Sequence, residues 1–158
     1  MINILQRITA LIILLVAMIF GFLPDEKSQI VVPTENIEII SNTEGVDKGG
    51  KYVFDNYDEF RFYCLTVNQS KEMEEYAESL GKEYFEEHNL VIVDVVLADI
   101  KDKTYFVSAK ENNETLNIGY SIVALDAGDG VVCVDSICVK ASKNITKVTV
   151  VEMPAPTA

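Results

Sequence analysis

"EYFEEHNLVIVDVVLADI", Glu83 to Ile100, changes character halfway along, and its second half decides the fold. The first residues are mostly charged and helix-like, and an almost wholly apolar run follows. Residues 90–98, "LVIVDVVLA", are apolar on both alternating faces, as in a strand covered on both sides. The run is too short to span a bilayer. It therefore reads as the central strand of a sheet with helices on at least one face. The acidic segment before it reads as the solvated end of a helix that turns Tyr84 and Phe85 inward and ends at Asn89.

Upstream, two helix starts carry capping residues. Asn56 has Glu59 three positions later, the spacing of a capping box, and Tyr57, Phe60, Cys64 and Leu65 then recur at helical spacing. Ser70 is the second cap, and Met73, Tyr76, Ala77 and Leu80 line one apolar face, with Glu72, Glu74, Glu75 and Glu78 on the others. Gly81 interrupts this helix. Residues 36–41 read as a short strand and 42–51 as a turn-rich loop.

Downstream the pattern is that of antiparallel strands. In 103–111, Tyr105, Val107 and Ala109 share a face; "ENNE" at 111–114 is a turn; in 115–126, Leu116, Ile118, Tyr120 and Ile122 alternate with small and polar residues. "AGDG" at 127–130 reads as a further turn, and strands at 131–140 and 145–153 complete a meander. The expected fold is α+β: an antiparallel meander sheet of about five strands with two or three helices packed on it.

The expected organisation is a signal peptide or uncleaved membrane anchor over 1–23, a linker over 24–35, a globular domain over 36–153 and a flexible tail over 154–158. The uncharged run 8–23, "ITALIILLVAMIFGFL", would reach about 24 Å as a helix. A bilayer core is about 30 Å thick, and Ile2, Ile4 and Leu5 can extend the run toward it. A secretory signal is usually shorter and ends at a small-x-small site, which Phe20, Phe22 and Leu23 do not supply. Arg7 before the run, with Asp25 and Glu26 after it, orients an anchor with the domain outside the cytoplasm. Cleaved, the domain would be secreted. The formal charge of −12, spread along the chain, disfavours nucleic acid and anionic lipid as partners of the domain.

Cys64, Cys133 and Cys138 allow at most one internal bridge. On one continuous strand the last two lie too far apart to bond, so buried, unpaired thiols are expected. Asp126 and Asp129 in "DAGDG" are oxygen donors for calcium, but the spacing lacks the alternating acids and terminal Glu of an EF-hand, and a turn accounts for Gly128 and Gly130. His88, the one histidine, has no partner at metal-ligand spacing and reads as a solvated helix-end residue. The carboxylates of 72–87 read as a solvated helix face. "NQS" at 68–70, "NET" at 113–115 and "NIT" at 144–146 are sequons placed in turns. No catalytic residue, metal site or cofactor is expected.

"NYDEFRFYC", then "EYFEEHNLVIVDVVLA", then a β-meander resembles a group of small exported bacterial proteins of unassigned function. That group is distantly similar to the C-terminal domain of the protease-stabilising partner in a protease complex. The resemblance covers about residues 54–153 and implies a binding or stabilising module outside the cytoplasm. Such domains often carry a Thr-Gly-Gly-Tyr-like loop after the first central strand. Here that region reads "DIKDKTYF", so a binding role for the loop does not carry over. The expectation is a membrane-anchored, non-enzymatic interaction module whose partner is an envelope protein, in its specific form a stabilised or inhibited protease, bound at an exposed strand edge. A small-molecule or ion-binding envelope protein is the alternative, with "DAGDG" or the Tyr-rich face as its site. An enzyme using dispersed residues is the third class.

Overall fold

The computed structural model describes residues 29–42, 49–100, 103–124 and 127–154, with the backbone alone at 42, 98–100 and 127–132. Within these residues the fold is α+β. The strands are β1 (Ile30–Val31), β2 (Ile37–Asn42), β3 (Gly50–Phe54), β4 (His88–Ile100), β5 (Lys103–Asn112), β6 (Thr115–Ala124), β7 (Ala127–Ser142) and β8 (Lys147–Glu152). The helices are α1 (Tyr57–Thr66), α2 (Lys71–Leu80) and α3 (Tyr84–Glu87), and a 3-10 turn occupies Thr34–Asn36. The strands form two four-stranded sheets, an outer one in the order β1-β5-β6-β8 and a central one in the order β2-β7-β4-β3.

The two-sided apolarity of β4 has its cause in three layers. Val91, Val93, Val95 and Leu97 point toward the outer sheet and pack with Ala109, Leu116, Ile118, Ile137, Val139 and Ile145. Leu90 and Ile92 point the other way, into a cluster with Phe54, Phe60, Tyr63, Met73, Ala77 and Phe85 from β3 and the helices. Leu90, Val91 and Ile92 are wholly buried, and each such side chain contributes roughly 1.5–3 kcal/mol by leaving water. The helix that precedes β4 does turn Phe85 inward, and the chain passes into the strand at His88.

The strands after β4 do not continue as one meander. β5 and β6 form the expected hairpin, joined by Asn113 and Glu114, with Asn113 in the left-handed region at φ 53°. The chain then leaves that sheet. β7 runs antiparallel to both β4 and β2 at the centre of the other sheet, and β8 returns to pair with β6 in parallel. The physical reason lies in β7 itself. "VVCVDSICVK" is apolar on both faces as β4 is, so it also needs cover on both sides, whereas β5 and β6 alternate and bury one face only.

Two boundaries shift for related reasons. "AGDG" is not a turn: β7 begins at Ala127, which pairs with Ile100 after an irregularity in the β4 register, so Gly128 and Gly130 lie in extended chain. Ile30–Val31, read from sequence as linker, pairs with β5, and Val32 is buried between the sheets. The caps stand as read. The Asn56 side chain accepts from the Glu59 amide at 2.8 Å and the Ser70 side chain from the Met73 amide at 3.2 Å. Gly81 closes α2 at φ 67°, where a side chain would be strained. Residues 8–23 lie outside the described residues, as does the tail from 155; among the described residues no helix is long and apolar enough to cross a membrane.

Candidate interaction surface

β3 is an outer strand of the central sheet, with β4 its one neighbour there among the described residues. Its even-numbered residues face the helices. Tyr52 folds its ring back over Gly50: a Cβ at Gly50 would lie 2.3 Å from the Tyr52 hydroxyl, so the ring position requires glycine there. Tyr52 stacks on Phe54 with centroids 6.0 Å apart and tilts against Tyr63 of α1 at 4.7 Å. Such pairs contribute about 0.5–1.5 kcal/mol each beyond their burial.

Helix α1 is apolar on more than one side. Phe60, Tyr63 and Cys64 face the sheet, while Phe62 and Leu65 stand 67% and 60% exposed, with Val67 just beyond the helix also exposed. Between α1 and β3 lies an open groove of about 450 Å³, lined by Tyr52, Phe54, Phe62, Tyr63 and Val67 with Asp58 and Glu59 at its rim. Among the described residues no lysine or arginine lines it. Its surface is almost wholly apolar, which is unusual for the outside of so acidic a chain.

Under the groove Tyr63 is locked by a buried polar network. Its hydroxyl donates to the carboxylate of Asp94, 2.7 Å from Oδ2 and 2.9 Å from Oδ1. Ser136 Oγ donates to Asp94 Oδ1 at 2.6 Å. Asn68 Nδ2 reaches Ser136 Oγ at 3.1 Å and the Tyr63 hydroxyl at 3.3 Å, while Asn68 Oδ1 accepts from Ser70 Oγ at 2.7 Å. Two strands, α1 and the α1–α2 connection are thereby tied at one point. None of these partners carries a positive charge. Burial pushes the Asp94 carboxyl up, and the hydroxyls of Ser136 and Tyr63 offset that only in part. Burial and the Asp94 charge push the Tyr63 phenol up as well.

A second cluster lies on the opposite face of the central sheet, against β5. Lys103 Nζ is 2.7 Å from Asp135 Oδ2 and donates to Cys133 Sγ at 3.4 Å. The Tyr105 hydroxyl donates to the same Asp135 oxygen. Burial pulls the Lys103 ammonium down, but the hydrogen bond and charge of Asp135, with Cys133 adding to them, outweigh it and the net shift is upward. Asp135 is fully buried, and its Oδ1 has no hydrogen-bond partner among the described residues.

Asp126 lies outside the described residues, and only the backbone of Asp129 is described, extended in β7. Among the described residues no group of three or more His, Cys, Asp or Glu side chains is placed to hold a metal ion. His88 sits where α3 gives way to β4, beside the Tyr84 ring at 5.6 Å, and burial and the Lys140 charge lower its pKa. The glutamates of α2 and the turn after it are largely exposed, apart from partly covered Glu72. Asn68 is wholly enclosed by the Asp94 network, so "NQS" is closed to a glycan in the folded domain, while Asn113 and Asn144 are exposed. The three thiols are free: Cys64 and Cys138 buried, Cys133 half-buried beside Lys103. Burial pushes the Cys64 thiol up to about 11 and Cys138 well above its ordinary value, so both are inert core residues.

Sequence reasoning did not find the groove. β3 is only five residues, two of them at the end of the segment 42–51 read as a loop and three given no element, and Phe62 breaks the helical pattern rather than forming it. It also missed both buried aspartates, although one charge inside each two-sided apolar strand, Asp94 in "VIVDVV" and Asp135 in "CVDSI", was the available signal. No known protein family, no curated protein and no solved structure matches the chain.

Proposed function

We propose that the domain is a non-enzymatic protein-interaction module, held outside the cytoplasm by an anchor at residues 8–23, and that it binds its partner through the surface formed by β3 and α1. The observation that carries this reading is an apolar groove on an outer strand lined by exposed Phe62 and Val67, with exposed Leu65 three residues after Phe62 on the same helix. A helix buried on one side normally turns polar residues to water on the other. Contiguous exposed apolar surface rimmed by acids is characteristic of association sites. The Asp94 network supports the same reading, because it fixes Tyr63 as a rigid floor and so lowers the ordering cost of binding.

The resemblance to protease-stabilising domains makes an envelope protease the specific partner proposed. Crosslinking and co-purification of the full chain from its own membranes, beside a Phe62→Ser/Leu65→Ser variant, test both levels. A recurrent envelope protein recovered by the wild type and lost from the variant is the expected result, and a protease in that position names the partner. Equal recovery by both chains would overturn the assignment of this surface.

A further inference from the structure

We infer that the β1 rim of the outer sheet is the face the domain turns to the membrane, with Ile30 and Val31 seated among the headgroups of a zwitterionic bilayer. The inference rests on the anchor reading above and concerns a surface distinct from the groove. β1 is the outermost strand of the outer sheet among the described residues, beside β5. Its two residues are 62% and 63% exposed, whereas Val32, next in the chain, is buried between the sheets. A soluble domain ordinarily blunts such an open rim with charge. The two side chains point to opposite faces of the strand, but both border the rim, so a surface met edge-on takes up both.

The length of chain before β1 commits this rim to the bilayer. The apolar run ends at Leu23, and the steps from there to Ile30 span at most about 25 Å fully extended. The headgroup layer takes about 5–7 Å of that. A domain of this size is about 35 Å across, so the tether is shorter than the domain it holds, and it enters at β1. A protein covering this rim would have to fit into the gap left. The lipid is there already, at the high effective concentration that a short tether gives.

The charges around the rim suit zwitterionic headgroups. Lys110 stands opposite Val31 and is exposed, and Lys140 lines a hollow with Ile30 and Val31, while Glu35 in the next turn is exposed and acidic. Glu111, opposite Ile30, is turned inward and accepts from the Ser142 amide at 2.8 Å and its hydroxyl at 2.5 Å. An anionic surface would instead repel a chain of formal charge −12. The outer backbone groups of β1 find partners among headgroups and their water but not in hydrocarbon, so insertion stops at the headgroup layer.

This seating also aims the groove. β1 passes through the 3-10 turn into β2, so these rims of the two sheets lie together. At the opposite rim β3 lies against β8, with Gly50, Lys51 and Val150 around one depression. With the β1 rim down, the groove between β3 and α1 opens away from the bilayer, where the extramembrane part of an envelope protein reaches it.

The chain contains no tryptophan, so one introduced indole reports its own position. Full chains carrying Val31→Trp, Phe62→Trp or Val151→Trp, all at exposed positions, are placed in phosphatidylcholine nanodiscs with and without bromine on the upper acyl chains. Val31→Trp is expected to lose at least ~2-fold in emission to the brominated lipid, and the other two less than ~1.2-fold. The wild type gives an independent reading: a nitroxide on the lipid headgroup should broaden the amides of residues 30–32 and 110–111 and spare those of 50–54. Equal quenching at the three positions, or none at any, would mean that no face is held to the membrane and would overturn the inference while leaving the anchor. Strongest quenching of Phe62→Trp would overturn it together with the protein-partner reading of the groove. A blue-shifted Val31→Trp that the lipid does not quench, with a shift that grows with the number of chains per disc, would make a second copy the occupant and overturn it too. Chains that fail to stay with the discs would overturn the anchor reading and this inference together.

Discussion

Asp94 and Asp135 are buried carboxylates on neighbouring strands, one register step apart, on opposite faces of the same sheet. Asp94 stands opposite Ser136, and Asp135 stands opposite Val95. Asp135 faces the aliphatic layer between the sheets and is neutralised by the Lys103 ammonium at 2.7 Å. Asp94 faces the aromatic layer under the helices and is held by hydroxyls of Tyr63 and Ser136. The desolvation problem is the same, and the two solutions differ in what they cost when broken. An ion pair leaves a full charge behind if either partner is removed. A carboxyl among neutral donors can take up a proton instead. The first arrangement fixes how the two sheets meet; the second fixes the helix layer and the floor of the groove.

The harshest way to break that comparison is to remove the cation. Lys103→Met leaves Asp135 buried with Tyr105 as its remaining partner, and a loss of about 3–5 kcal/mol is expected in urea unfolding. Lys103→Met combined with Asp135→Leu replaces the pair by apolar groups and should recover most of that loss. If the single variant costs less than the double, the pair is not what compensates the buried charge.

Tyr63→Phe probes the other side. It removes one donor from Asp94, leaving Ser136 in place, and should cost about 1–3 kcal/mol. Ser136→Ala should act in the same direction. Hydrogen exchange should show the loss as faster opening of α1 and the α1–α2 connection rather than of β5 and β6.

Proton linkage sharpens the contrast. The folded Asp94 carboxyl has a raised pKa, so the native state holds this proton more tightly than the unfolded chain does. Between the ordinary aspartate value and Asp94's own, the native state binds more protons, and stability falls as pH rises through that window. Relative to neutral pH, the wild type should therefore gain stability from Asp94 as pH drops toward the ordinary carboxyl range. The difference between wild type and Asp94→Asn, taken over a pH series of urea titrations, isolates this contribution from the other acids. A difference that is flat with pH, or that slopes the other way, would mean that the hydroxyl bonds overcome burial.

How much of this is written locally explains what the sequence discloses. The caps at Asn56 and Ser70, the α2 face of Met73 and Ala77, the two-sided strand at 90–98 and the hairpin at Asn113 depend on residues close in sequence, and they are legible as such. The placement of β7 beside β4 and against β5, which brings Ser136 toward Asp94 and Asp135 toward Lys103, depends on contacts 32 to 42 residues apart. A meander is the shortest connection that local signals allow, and the apolar second face of β7 overrides it. The groove is less legible still. It joins a strand of five residues to the side of α1 that faces away from the sheet, and no periodicity marks a surface defined by what does not pack.

That outward side gives the smallest expected effect on stability and the clearest separation of roles. Phe62 and Leu65 are exposed, so Phe62→Ser and Leu65→Ser remove little buried area, and each should change unfolding free energy by no more than about 0.5 kcal/mol. Phe60, two residues before Phe62 and wholly buried, should cost about 3–5 kcal/mol as Phe60→Ala. If the exposed pair were part of the fold's own packing, their replacement would approach the Phe60 figure and the groove would be a seam of the core. If their loss leaves urea midpoint and slope unchanged while abolishing partner capture, the same helix holds the fold with one face and meets the partner with the other. Exposed aromatic surface that contributes nothing to folding then has binding as its physical rationale.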